Sequence, residues 1–273
     1  MAYDLTDRNF ILRETGIFGA DFPDCLLLTE TLRTIRTRPM FWAEHLSLIR
    51  LQLQLLNQPV PDFLKQKGAE LKRQIERCLI KNKQYKSARV SLLIFHRKHT
   101  LSYLIRTEAI PVVTYELNRE GIMLAPFSRI LKPASPLSSL RMGSAPYWNI
   151  ARAFQTSRQT EPLLMNENNG LLEVPENNLY LICGPGVIAV APGAGVYLDP
   201  TRETIRQICL QAGLNYKEEN ILLQEDLFRA DEAFLAGSLY GIQWVKGTGT
   251  KRYRNQTVRL LHNAFNKLLL RSD

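Results

Sequence analysis

Residues 138–182 read SSLRMGSAPYWNIARAF, QTSRQT, EPLLMNENNGLLEVPENNLYLI, and the remainder of the chain is best understood outward from them. The first part predicts a loop entering a helix over 144–157, with Pro146 in the first turn, where a missing N–H does no harm. The last part predicts short strands at 162–165, 170–174 and 178–182, separated by polar turns. Glu173 falls near the end of the second of these strands, before the turn, and Asn178 follows five residues later. Glu173 and Arg141 are the first candidates for chemistry, because each is an ionisable side chain set in an otherwise apolar, structured segment.

Upstream, Gly16, Gly19 and Pro23 mark a loop before the apolar run CLLLTETL. That run, a turn at Arg36–Pro39 and a short strand at 40–42 predict a hairpin. Leu46, Ile49, Leu53 and Leu56 recur with helical spacing over 44–57, and Pro59 and Pro61 end that helix. Asp62 offers an N-cap for a second helix carrying Phe63, Leu71, Ile75 and Leu79 on one side. Strands are expected at 89–96, 101–107, 110–117 and 121–125. The Pro- and Ser-rich segment 127–139 is the expected domain linker. Downstream of the opening stretch, a strand at 187–191 and a helix at 201–212 with Gly213 behind it are expected. A strand at 221–223, a short helix at 226–230, strands at 232–236 and 242–246 and a helix at 255–270 follow.

Composition narrows the class. A chain of 273 residues can bury a core in one large or two modest domains. No apolar run reaches membrane-spanning length. The charged start MAYDLTDRNFILRE has no apolar signal core, so the expected compartment is the cytoplasm. Cys25, Cys78, Cys183 and Cys209 are scattered, with no C-x-x-C pair, so neither a metal site nor a disulfide framework is expected. A formal net charge of +9 favours anionic partners in general. The basic clusters at 33–38, 97–98 and 251–254 are dispersed and lack interleaved aromatics. They are expected to be solvated faces, with nucleic acid an unlikely partner.

The order of these pieces resembles the class IV aminotransferases, the fold-type IV pyridoxal-phosphate (PLP) enzymes, over nearly the whole chain. Thr29-Glu-Thr-Leu-Arg33, Arg38-Pro39 and Glu44-His45-Leu46 resemble the family's F-E-T-x-R, K-P and E-H-L block. Residues 163–166, 170–173 and 178–180 resemble its L-L-N-x-x-G-x-V-x-E-x-x-x-x-N-L-F block. Thr201-Arg202 resembles the end of its G-I-T-R helix start. Residues 230–235, Gly237-Ser238 and Gly241-Ile242 resemble its A-D-E-V-F-L-T-G-T-x-x-G-I block.

The resemblance implies an α+β chain of fold-type IV. A small α/β N-terminal domain would span 1–126, with a linker at 127–139 and a strand-rich, barrel-like α/β domain at 140–273. It implies PLP held between two domains, a homodimer, and a small anionic or amino-acid-like ligand. It places the pyridine-nitrogen partner on Glu173 and phosphate-side groups on Thr201 and Ser238. For Thr201 an ordinary helix cap is an equal reading.

The chain departs from the family where the chemistry is done. Ile150-Ala151 sets the register in which the family's Schiff-base lysine falls on Arg141. A guanidinium stays protonated and cannot supply that amine. The family's E-H-x-x-R arginine falls on Leu48. Pro200 has no N–H to give a phosphate, and Asp199 puts a negative charge there. The glycines of the family's G-D-G turn are missing at 24–27. These losses predict a catalytically degenerate homologue, with Arg141 paired to Glu173, holding an anion, or lying on the surface. The alternative is an active transaminase or aminodeoxychorismate-lyase-like enzyme using another lysine, the nearest being Lys132 in the expected linker.

Overall fold

Alternating apolar residues build the first sheet. In the computed structural model, described for residues 2–6, 10–12, 25–97, 100–155, 157 and 159–271, the chain forms two compact units, residues 1–114 and 115–273. The expected loop around Gly16, Gly19 and Pro23 lies outside the described residues.

The first unit contains β1 (Tyr3–Thr6), β2 (Phe10–Leu12), β3 (Cys25–Ile35), β4 (Arg38–Pro39), α1 (Trp42–Leu55), α2 (Ala69–Lys81), β5 (Ser87–Arg97) and β6 (Thr100–Ile110). Its antiparallel sheet runs β2-β1-β6-β5-β3-β4. Along β5, Ala88, Val90, Leu92 and Ile94 point inward at every second residue. They meet Leu46, Ile49 and Leu53 of α1 and Leu71, Ile75 and Leu79 of α2, which share one core. The β3–β4 turn places Arg36 and Thr37 at φ 48° and 67°, the left-handed pair that a two-residue hairpin requires.

The second unit contains β7 (Ile122–Lys132), α3 (Arg141–Ala153), β8 (Thr160–Asn166), β9 (Glu173–Val174), β10 (Asn177–Cys183), β11 (Gly186–Val190), α4 (Arg202–Gln211), β12 (Asn215–Glu219), α5 (Gln224–Arg229), β13 (Glu232–Gly237), β14 (Gly241–Thr248), β15 (Lys251–Arg252) and α6 (Gln256–Arg271). The main path of its nine-stranded mixed sheet is β12-β11-β10-β13-β14-β7-β8, with β9 on β10 and β15 on β14. This sheet curls into a half-barrel. β13 is buried along its whole length and β10 along nearly all of it, so beyond Glu232 and Asn178 neither alternates between apolar and polar residues.

Several expectations change. The segment 110–117 is no strand. Pro111 lacks an N–H, and the carbonyls of Val112 and Thr114 accept hydrogen bonds from Arg33 instead. That arginine, expected on a solvated face, is buried. Asp62 opens only a single turn of 3-10 helix. Left-handed φ at Lys67 and Gly68 then interrupts the chain before α2 starts. Residues 221–223 form no strand. The edge position belongs to β12, parallel to β11. α3 begins three residues earlier than expected, so Pro146 lies in its second turn. Its early start is possible because Gly143 packs on Leu137, where a Cβ would meet the carbonyl oxygen at 2.1 Å.

Residues 127–132 continue β7 instead of beginning a linker. Phe127 packs with Trp148, Ala151, Leu164 and Tyr197, and Lys132 pairs in register with Asn166 of β8. Pro133 then follows the end of the strand. No helix among the described residues is long and apolar enough to cross a membrane.

Candidate functional site

The end of β7, the start of α3, β9 with the turn after it, and the loops before α4 and after β13 bring ionisable side chains together in the second unit. Glu173 is fully buried. The ammonium of Lys132, also fully buried, donates to its Oε1 and, at 3.0 Å, to Ser144 Oγ. Ser144 in turn donates to the Ser138 carbonyl at 2.7 Å. Trp148 Nε1 donates to Glu173 Oε1 and the Tyr197 N–H to Oε2, each at 3.3 Å. The Trp148 and Tyr197 rings meet edge to face with centroids 4.9 Å apart. Each oxygen of Glu173 therefore has a donor inside the protein, which is what a dry carboxylate needs.

Arg141 is the first residue of α3 and is 9 % exposed. Its guanidinium pairs with Glu176 and lies 5.4 Å from the Trp148 ring centroid. Glu176, buried and held at φ 68° in the turn between β9 and β10, also accepts from Arg152 at 3.0 Å. The expected Arg141–Glu173 pair is therefore replaced by two separate pairs. Lys132 takes Glu173 because β7 extends to it, and Arg141 takes the next acid along. The surface reading of Arg141 falls with its burial.

Asp199 organises the third group. Its Oδ1 accepts from the Thr201 N–H at 2.8 Å and Thr201 Oγ1 at 2.6 Å, and its Oδ2 from the Ser238 N–H at 3.1 Å. Thr201 stands at the N-cap position of α4, but its side chain makes no capping bond. Its hydroxyl is turned back to Asp199. Arg202 binds the Val190 carbonyl, Glu218 and Asn178. Burial works against its charge, but Tyr180, Tyr216 and Glu218 outweigh that and raise its pKa. Asn178 holds the Tyr197 carbonyl at 2.8 Å. A Cβ on Gly237 would come within 2.5 Å of the Glu176 carbonyl and Asn177 Oδ1, so glycine lets β13 close against the turn that carries Glu176.

The residues expected to hold PLP are all here: Glu173, Thr201 and Ser238. Yet each of them has a group engaged by the chain itself, for Ser238 the backbone N–H. Glu173 holds an ammonium, and the Thr201 and Ser238 donors hold a carboxylate. Pro200 is buried and has no N–H to add. In this arrangement the residues present do not fit the cofactor. Sequence reasoning missed Ser144, Trp148 and Glu176 as members of the cluster, and placed Lys132, its alternative amine, in a linker instead of at the end of β7. Lys132 was legible only as the last residue of a strand continued through Pro126. Among the described residues no group of His, Cys, Asp and Glu could hold a metal ion.

The family described as Amino-transferase class IV matches residues 27–247. Among curated protein sequences none matches the chain. Among solved structures, branched-chain aminotransferase from the archaeon Thermoproteus uzoniensis, with norvaline, superposes with a TM-score of 0.84 at 15 % identity, covering 100 % of this chain and 96 % of that one. A hypothetical aminotransferase from Mycobacterium tuberculosis, bound to alpha-ketoglutarate and PMP, gives 0.82 at 15 %, with both chains covered completely. The branched-chain amino acid aminotransferase of Escherichia coli gives 0.80 at 16 %, covering 98 % and 94 %. At these identities the likeness shows the fold.

Proposed function

The chain belongs to the class IV aminotransferase family, and on that premise we propose that it is a pseudoenzyme in which the fold persists without Schiff-base transamination. One observation carries the reading. The residue in the register of the family's lysine is Arg141, and its guanidinium is committed to Glu176. A guanidinium has no free amine lone pair to form an imine and is a poor base for shuttling a proton. A small anionic or amino-acid-like ligand would have to compete with Glu176 for that charge.

The test is to incubate the purified protein with PLP, reduce with borohydride and map adducts by mass spectrometry. The expected result is no phosphopyridoxyl-lysine above the background of surface lysines. A stoichiometric adduct on one buried lysine would overturn the reading.

A second reading has a specific observation in its favour: Lys132 puts a buried amine beside Glu173. An active transaminase or aminodeoxychorismate-lyase-like enzyme could use it, provided it released Glu173 and lost its proton. An adduct on Lys132, with turnover of an amino donor or release of pyruvate from aminodeoxychorismate, would establish that reading. The family's homodimer is likewise a proposal for this chain, to be decided by light scattering on the eluting protein.

A further inference from the structure

We propose that the chain carries built-in substitutes for both charged ends of the cofactor, so that its site is closed by its own side chains. Lys132 supplies to Glu173 the cation that a pyridinium nitrogen would otherwise bring. Asp199 supplies to the Thr201 and Ser238 donors the anion that a phosphate would otherwise bring. The inference rests on the pseudoenzyme reading and deepens it, because it explains non-binding as well as non-reaction.

The two substitutions are independent in the chain and complementary in charge. Lys132 comes from the end of β7 and Asp199 from the loop before α4, and each lands on an acceptor or donor of the opposite character. Neither is a loose surface contact. Lys132, Glu173 and Thr201 have no exposed surface, and Asp199 and Ser238 are each 4 % exposed. The Asp199 carboxylate bridges two backbone N–H groups from different segments, at Thr201 and Ser238, as well as a hydroxyl. Three converging donors are what an oxyanion of a bound phosphate also requires. A competing ligand must expel a paired, desolvated charge at each end. The binding-competent state is therefore a minor one, and the apparent affinity drops by the fraction of time the site is open.

Reversing one end tests this. Asp199→Gly removes the internal anion, and Asp199→Asn removes its charge while keeping most of its shape. Wild type and both variants are titrated with inorganic phosphate by calorimetry and with PLP by equilibrium dialysis. Circular dichroism checks the fold. Wild type should bind neither ligand with a dissociation constant below about 1 mM, whereas Asp199→Gly should gain about tenfold or more for phosphate. Saturable, noncovalent binding of PLP to wild type at tens of micromolar would overturn the proposal by itself, whether or not the variants fold. So would a folded Asp199→Gly and a folded Asp199→Asn that both match wild type toward phosphate. Borohydride separates the two claims. Noncovalent binding without a lysine adduct defeats self-occupancy and leaves the pseudoenzyme reading intact, while a lysine adduct defeats the latter.

Discussion

Replacing Lys132 by methionine removes the ammonium from Glu173 while keeping most of the stem that fills the end of β7. Both partners have no solvent exposure. The carboxylate would be left in a dry site with only the Trp148 and Tyr197 N–H groups, each 3.3 Å away. Breaking a buried pair from one side costs about 3–5 kcal/mol. For units of this size each kcal/mol lowers the melting temperature by about 2–4 °C, so the variant should melt roughly 6–20 °C below wild type. Urea unfolding gives the free energy directly. The companion Lys132→Met/Glu173→Gln removes the stranded charge and keeps an amide oxygen for one of the two donors. It should recover at least half of the loss. A single variant within about 1 kcal/mol of wild type would behave like a solvated surface pair. That result would refute the closed site, because it would mean water reaches Glu173.

Further outcomes follow from the same contacts. Gly237→Ala should destabilise by about 1–3 kcal/mol, measured by urea unfolding, because the added Cβ meets backbone at Glu176 as well as the Asn177 side chain. Tyr180→Phe should be neutral or slightly stabilising in a thermal melt. The hydroxyl is buried with no partner among the described residues, and the ring keeps its stack on Phe234. Burial pushes the Cys209 thiol from 9.0 up to about 12. Because the folded value is the higher one, this contribution to stability is intact below pH 9 and is lost as pH rises toward 12. Urea midpoints should fall across that window, and iodoacetamide at pH 8.5 should leave Cys209 unlabelled in the native protein.

Much of the fold was legible because it rests on local signals. Residues 46–53 carried α1 by spacing alone, and the β5–β6 hairpin and the helices α4 and α6 appear within a few residues of their expected bounds. The errors fell where a local pattern met a tertiary demand. The 110–117 segment is apolar enough for a strand, yet its carbonyls serve Arg33. The Pro- and Ser-rich look of 127–139 concealed that Pro126–Lys132 completes β7. A proline is tolerable there because the pairing with β14 ends at Leu124, so at Pro126 β7 has only β8 beside it.

The residue types of the candidate site were legible in the sequence: an arginine where the family resemblance puts a lysine, a proline without an N–H, an aspartate beside the helix start. These are properties of single side chains and need no neighbour to define them. Which charge faces which was decided only by tertiary structure. Lys132 and Glu173 are 41 residues apart, Arg141 and Glu176 35, and Asp199 and Ser238 39. Glu167, Glu173 and Glu176 were all available in one short segment. Burial chose among them. A charge taken out of water must find its opposite at contact distance, and the convergence of β7, β9 and the loops around α4 and β13 left each one a single place to do so.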